Sequence, residues 1–541
     1  MDLSASLRQM ANDYATLLTP SGLADMWSRP FGLLAPVHEA ALRGVDLAQP
    51  QRLAEYFLLP AFAVWVQAFL LVQEGERGSK RQEGSNRLLR LAAGVVALML
   101  MARSYFSYRF TDPLLNIWNC ALNVVWLHLA VKSAEFALLS RGVRDPYYPP
   151  RPKWRAALDL CMNSRLLRMG SVGLDHMAGP PNYTIGDVDE NEEGGALGLT
   201  GVDKPTSNGV ANGSANGHAN GHANGHANGN GKANGKTGKR KHRKIERTPY
   251  EVAHNLPALE RHEPRVGPRP STRLGAIARH FKYFLFFYTV LDTAFSLIRH
   301  MAPNTLAYGA LNGESALKRF LDSTSVEILP QLHTGIIVPR LVVAFCVLSC
   351  VASAVYWGIS VCYHGAAVLF LALGWEISAW DVDVFDQPWK AESVIDLWGR
   401  RWHQLFRHQF IVLSSCTARA LCLPASPLVL FPLSFLYSGL LHSLGSLLMD
   451  PIAAPIPLGS FFVASSFACI AEVAWKNITG YRVRGFWGRV WAWGFLFATS
   501  RLAGDAWLDA GIAGQYALQP VFGPKIADLL LKYAFAPTAS A

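Results

Sequence analysis

Apolar runs long enough to cross a lipid bilayer recur along this chain, and they restrict its fold more than any other feature. A spanning helix needs about 20 mostly apolar residues. Runs near that length cover 56–72, 114–131, 283–298, 336–360, 428–448, 457–473 and 486–500. Shorter ones cover 88–101, 361–373 and 410–421, as short spans or re-entrant helices. Composition agrees: of 541 residues 51% are hydrophobic and only 16% charged. A soluble domain carries roughly 25% charged residues. The expected fold is all-α, a polytopic membrane helical bundle of about eight spans.

Basic residues in short loops set the orientation expected of such a bundle. Arg77, Lys80, Arg81, Arg87 and Arg90 follow the first run and predict a cytosolic loop. The N-terminus is then luminal, and the third span returns the chain to the cytosol. No basic segment, apolar core and small-residue site open the chain in order, so no cleaved signal peptide is expected. The net charge of +11 could indicate nucleic acid. Its cations cluster in loops beside apolar runs, which favours membrane lipid as partner and excludes nucleic acid.

The stretch from about 180 to 270 differs in kind. It begins acidic, with Asp187, Asp189, Glu190, Glu192 and Glu193, then repeats Asn-Gly and Gly-His-Ala-Asn units from Asn208 to Lys236. With almost nothing apolar to bury, a long disordered cytosolic insert is expected. His218, His222 and His226 recur within it, as a repeat rather than a metal site. The run from Lys239 to Lys244 reads as a solvated basic cluster rather than an import signal. Asn182, Asn212 and Asn477 begin glycosylation sequons, the first two expected unused in the cytosol. The eight cysteines lie mostly in apolar runs, without metal or disulfide spacing. Five regions follow: 1–55, an N-terminal luminal region; 56–140, N-terminal spans; 141–280, a cytosolic connector with the insert; 281–510, a catalytic transmembrane domain; and 511–541, a tail.

Two histidines carry the chemistry. His442 lies inside the apolar run 435–448, and an ionisable group there is a functional-site hypothesis by default. Histidine is also well suited to moving a proton near neutral pH. Ser438 and Gly439, one turn earlier, permit close approach of a helix or ligand. His403 ends the run Leu397-Trp-Gly-Arg-Arg-Trp-His403. No proline interrupts 391–410, so a helix is expected from about Ser393, with Arg400, His403, Gln404 and Arg407 on one face. Trp398 and Trp402 would stack one turn apart, in an interfacial helix with its arginines at the aqueous edge. A plain aromatic-basic belt is the alternative. The segment Phe486-Trp-Gly-Arg-Val-Trp491 echoes the motif but has Ala492 where the histidine would stand. Glu472 is a second ionisable group in an apolar run, expected to partner His442, an arginine or water.

The run Trp398-Gly-Arg-Arg-Trp-His403-Gln-Leu-Phe-Arg407, followed by Phe435-Leu-Tyr-Ser-Gly-Leu-Leu-His442, resembles the wax synthase-like branch of the membrane-bound O-acyltransferases. The segment 154–165 is similar to that family's connector, and 488–491 to its C-terminal region. Leu397 stands where the family has phenylalanine, and 380–385 departs from its tryptophan-proline loop. The resemblance implies acyl transfer from acyl-CoA to the hydroxyl of a hydrophobic small molecule, with no bound cofactor and no metal. His442 would be the base and His403 the second polar group of the site. Trp398, Arg400, Arg401, Trp402, Arg407 and Ser438 would contact substrate or CoA, the arginines meeting its phosphates or serving as membrane-surface cations. Within this branch the chain looks most like fungal terpenoid and natural-product O-acetyltransferases, with acetyl-CoA as donor and the endoplasmic reticulum as location. A long-chain wax ester synthase, a proton-coupled transporter relaying through His442 and Glu472, and a scaffold recruiting partners through the insert are the other readings.

Overall fold

The computed structural model describes residues 3–19, 54–77, 80–139, 151–162, 272–380, 383–424, 426–516 and 519–539, with a few single positions and short stretches elsewhere. The expected insert, its histidine repeat, its basic run and two sequons (Asn182, Asn212) lie outside the described residues.

Thirteen helices of eight residues or more organise the described chain. They are α1 (Leu3–Leu17), α2 (Leu59–Arg77), α3 (Lys80–Ser107), α4 (Asn116–Leu138), α5 (Lys153–Met162), α6 (Arg273–Met301), α7 (Ala316–Ser323), α8 (Arg340–Ala372), α9 (Arg407–Ala420), α10 (Pro427–Ser446), α11 (Pro455–Thr479), α12 (Gly485–Asp509) and α13 (Gly523–Tyr533). Strand is marginal. The two-residue β1 (Val45–Asp46) and β2 (Tyr108–Arg109) pair in parallel, and β3 (Thr324–Ile328) pairs antiparallel with β4 (Phe535–Ala539). The all-α bundle expected from the apolar runs is the observed fold.

Among the described residues, seven helices are long and apolar enough to cross a membrane: 54–74, 87–107, 113–138, 273–301, 340–372, 427–446 and 455–479. The short run at 88–101 is one of them. The separate runs at 336–360 and 361–373 prove to be one helix, α8, of 33 residues. The run at 486–500 lies in the 25-residue α12, which is not among the seven. Its arginines, aspartates and four tryptophans dilute its hydropathy. The run at 410–421 lies in α9, whose 14 residues reach only about 21 Å at 1.5 Å per residue, too short to span.

Three packing arrangements position the site. Helices α10 and α11 meet where Gly439 faces Gly459: a side chain at Gly439 would come within 3.0 Å of the Gly459 carbonyl. Helices α6 and α8 pair along a seam of rings, with Phe287 against Tyr356 and His364. Helix α4 joins the N-terminal helices to the rest through buried polar side chains. The Asn116 amide donates to the Pro451 carbonyl at 2.8 Å, and the Asn123 amide to Gly445 at 3.1 Å. Buried polar groups need such partners, since each unpaired one costs about 1–3 kcal/mol.

Candidate active site

His442 sits in the last third of α10. Its ring stacks on Phe462 of α11, with centroids 4.3 Å apart. Its Nδ1 lies 2.7 Å from the Ser438 carbonyl oxygen, one turn back. A carbonyl only accepts, so Nδ1 carries the proton and the lone pair is on Nε2. The helix itself selects the tautomer in which Nε2 is the basic atom.

His403 is held differently. The continuous helix expected from Ser393 does not form. A single helical turn at Val394–Asp396 runs into a wide turn at Leu397–Arg401, and Trp402 is extended (φ −72°, ψ 162°). The chain then stays irregular until α9 begins at Arg407. Arg400, His403, Gln404 and Arg407 therefore share no helix face. Trp398 and Trp402 do touch, edge to face at 5.9 Å rather than stacked.

Two groups on other helices brace this irregular stretch. Glu472 of α11 accepts from the backbone N–H of Val394 at 2.6 Å and Ile395 at 3.1 Å, and from the Trp491 indole at 2.9 Å. Those are orphan donors of a helix start, which a carboxylate satisfies well. Glu472 thus serves the loop, not His442. It lies ten residues beyond Phe462, about 15 Å along α11. At the other end, Gln409 and His128 of α4 bond reciprocally, Nδ1 to Oε1 at 2.7 Å and Nε2 to the His128 carbonyl at 3.3 Å. His408 and Glu135 pair at 2.6 Å. Both α4 residues fall on one helix stripe with Lys132, at four- and three-residue spacing. Polar residues at helical spacing inside the run 114–131 and just beyond it were a legible signal of a buried polar face, and the motif-based reading passed over them.

Two cavities, each of about 570 Å³, meet at the histidines. Six residues line both: Val351, Val355, His403, Phe406, His442 and Trp507. The first cavity follows α8 from Cys350 to Ala366 and reaches Asp159 of α5 and Trp375 and Trp380 beyond α8. The second runs among α8, α10, α11 and α12 and is lined by Trp398, Trp402, Arg407 and Ser438. Four residues lining the cavities carry a buried polar atom without a hydrogen-bond partner: His403 Nδ1, Trp398 Nε1, Gln404 Oε1 and, in the first cavity, Trp380 Nε1. Such orphans are rare in folded proteins, and four of them among the residues lining these cavities set the region apart. Enclosure pushes the His403 imidazole down to about 3, with His442 nearby adding to the effect. It is therefore neutral at working pH, with one nitrogen able to donate and one to accept.

The motif arginines are less free than the sequence suggested. Arg400 pairs with Asp396 at 3.1 Å and Asp386 at 3.6 Å. Arg401 pairs with Asp396 at 2.5 Å and donates to the Asp386 carbonyl at 3.3 Å. All eight cysteines are free thiols, and no cluster able to hold a metal exists among the described residues.

Residues 380–464 hold both histidines and the braced turn at Leu397–Arg401. They match the model of the membrane bound O-acyl transferase family. No curated protein matches the chain, and no solved structure does. The family match supports a multi-pass membrane-bound O-acyltransferase, an enzyme class that takes an acyl donor and a lipid-like acceptor. The matched segment stops short of α12 and begins after α8, although both helices complete the cavities.

Proposed function

We propose that this protein transfers an acyl group from acyl-CoA to the hydroxyl of a hydrophobic small molecule, in the manner of the wax synthase-like branch. The observation that carries the reading is the pair of cavities meeting at His442 and His403. Two substrates entering from different directions would be brought together there, shielded from bulk water.

His442 Nε2 takes the acceptor's hydroxyl proton as the oxygen attacks the thioester carbonyl carbon. The carbonyl becomes an oxyanion, and neutral His403 donates to it. Collapse of that intermediate breaks the carbon–sulfur bond. The departing thiolate takes the proton from His442 Nε2, which restores the base. Ester and free thiol are the products, and no covalent enzyme intermediate is needed. The Ser438 carbonyl holds Nδ1–H throughout, so the same nitrogen accepts and returns the proton. Trp398, Trp402 and Arg407 line the second cavity beside this centre, while Arg400 and Arg401 chiefly hold the loop through Asp396. An acetyl donor, a terpenoid-like acceptor and a location in the endoplasmic reticulum complete the proposal.

The test is thiol release by membranes carrying the protein, with acetyl-CoA and palmitoyl-CoA offered in parallel against terpenoid and fatty alcohols. Acceptor-dependent release that His442→Ala abolishes is the expected result. Preference for palmitoyl-CoA with fatty alcohols would replace the acetyltransferase with a wax ester synthase. No release from folded protein with any pair would overturn acyl transfer.

A further inference from the structure

The two cavities have similar volume and different walls. Rings dominate the second: Phe431, Phe435, Phe461, Phe462, Trp493 and Phe497 are among its lining residues. The first is a slot along α8, with Val351, Val355, Ile359, Ile117 and Val124 along its sides. The histidines lie toward one end of it, at the level of Val351 and Val355. From Val355 to Ala366, at the Trp375 and Trp380 end, is eleven residues of helix, about 16 Å. Ile298, Leu508, Ile512 and Ala513 also line it.

Gly358 lies on this stretch, between the histidines and the Trp375 end. Glycine inside a helix costs about 1 kcal/mol relative to alanine. Nothing in the packing repays that cost, because a side chain placed at Gly358 would meet no atom within 4 Å. Gly439, Gly445, Gly459 and Gly504 are unlike it, each pressed against a neighbouring helix. The open space at Gly358 is the slot itself. At the Trp375 end the chemistry is polar. The Arg155 guanidinium lies 4.9 Å over the Trp375 ring and pairs with Glu376 at 3.1 Å, and Trp380 Nε1 has no partner.

We propose that the slot takes the linear arm of the acyl donor, entering from the Trp375 end, and that Gly358 sets the bore through which that arm passes. This rests on the acyltransferase reading above. A linear thioester must pass Gly358 to bring its carbonyl to the histidines, whatever its acyl group. The acceptor then occupies the ring-walled cavity. A bulkier residue at 358 would obstruct every donor to a similar degree, because the obstruction lies on the shared arm and not on the acyl tail.

The test is equilibrium binding of unreactive S-alkyl thioethers of coenzyme A, two and eight carbons long, to purified protein in detergent, followed by tryptophan quenching. Steady-state kinetics run beside it. Gly358→Leu is compared with wild type and with Gly494→Leu, a control at another helical glycine with open space around it, exposed and outside both cavities. Gly358→Leu is expected to weaken binding of both thioethers by at least about tenfold, with the acceptor KM unchanged and Gly494→Leu like wild type. Gly358→Ala, which adds one carbon, should fall between and serves if the leucine variant does not fold. Unchanged thioether binding by the Gly358 variants would overturn the proposal, as would a rise confined to the acceptor KM. Wild-type protein that binds the thioethers but transfers no acyl group would sink the acyltransferase reading and leave the slot standing.

Discussion

His442 and His403 share one wall, yet the chain delivers them in opposite ways. His442 rides on a regular helix whose own backbone selects its tautomer, through the Ser438 carbonyl one turn away. His403 lies in irregular chain between a wide turn and α9, held by Glu472 from α11 and by His128 and Glu135 from α4. The first histidine depends on local geometry and the second on contacts from 77 to 281 residues apart in sequence. Disturbing the bundle should therefore displace His403 long before it touches His442.

The largest expected effect sits on the helix side. His442→Ala removes the base and should lower kcat by about 10²–10⁴. Gel-filtration and thermal unfolding should stay near wild type, because the lost contacts are chiefly one ring stack and one local bond. Kinetics like wild type would end the base assignment and, with it, the contrast between the two histidines.

Next comes the brace. Glu472→Ala leaves the buried Val394 N–H, and the part-buried Ile395 N–H and Trp491 indole, without their acceptor. Each unpaired buried donor costs about 1–3 kcal/mol. A clear drop in Tm in detergent is expected, with activity reduced through His403. Glu472→Gln, which keeps an acceptor oxygen, should recover part of both. Equal damage from the two variants would mean that the charge, rather than the hydrogen bonds to the loop, is what matters.

The pH dependence is smaller and has a definite sign. His403 is held near 3 in the folded protein, against about 6.5 for a free imidazole. The unfolded chain therefore binds the proton first as pH falls. The His403 contribution to stability is whole above about pH 6.5 and declines as pH drops toward 3. Thermal unfolding between pH 4 and 8 should show wild type losing more stability on acidification than His403→Gln. The reverse order would mean that His403 is charged in the fold.

The smallest effect belongs to the motif's outer charge. Arg400 is about one-third exposed and pairs with Asp396 and Asp386. Pairs of this exposure contribute about 0.2–1 kcal/mol, so Arg400→Gln should barely move Tm. A loss of thioester binding in Arg400→Gln without loss of stability would instead give that arginine the phosphate contact the motif first suggested.

How much of this was legible differs along the chain. The apolar runs at 428–448 and 457–473 foretold α10 and α11 closely, because a bilayer-length run has few other ways to satisfy its backbone. Ser438 and Gly439 were read as a point of close approach, and Gly439 does meet Gly459. The helix expected from Ser393 was wrong. Nothing in 391–410 forbids helix, but the turn at Leu397–Arg401 is set by Glu472 and Asp396, neither of which periodicity weighs. The polar stripe of α4 was visible at 116, 119 and 123, and again at 128, 132 and 135. It went unread because its partners, Pro451, Gly445 and Gln409, are far away in sequence.

The sequence by itself determined that this chain is a helical membrane bundle, and that a histidine stands deep in one helix with small residues beside it. Run length and spacing are local quantities, and local physics acts on them directly. Only the tertiary structure decided that Glu472 bonds a loop instead of His442, that His403 leaves the helix, and that two cavities share a wall at both histidines. Those facts depend on which helices touch, and packing is fixed by partners that no single segment contains.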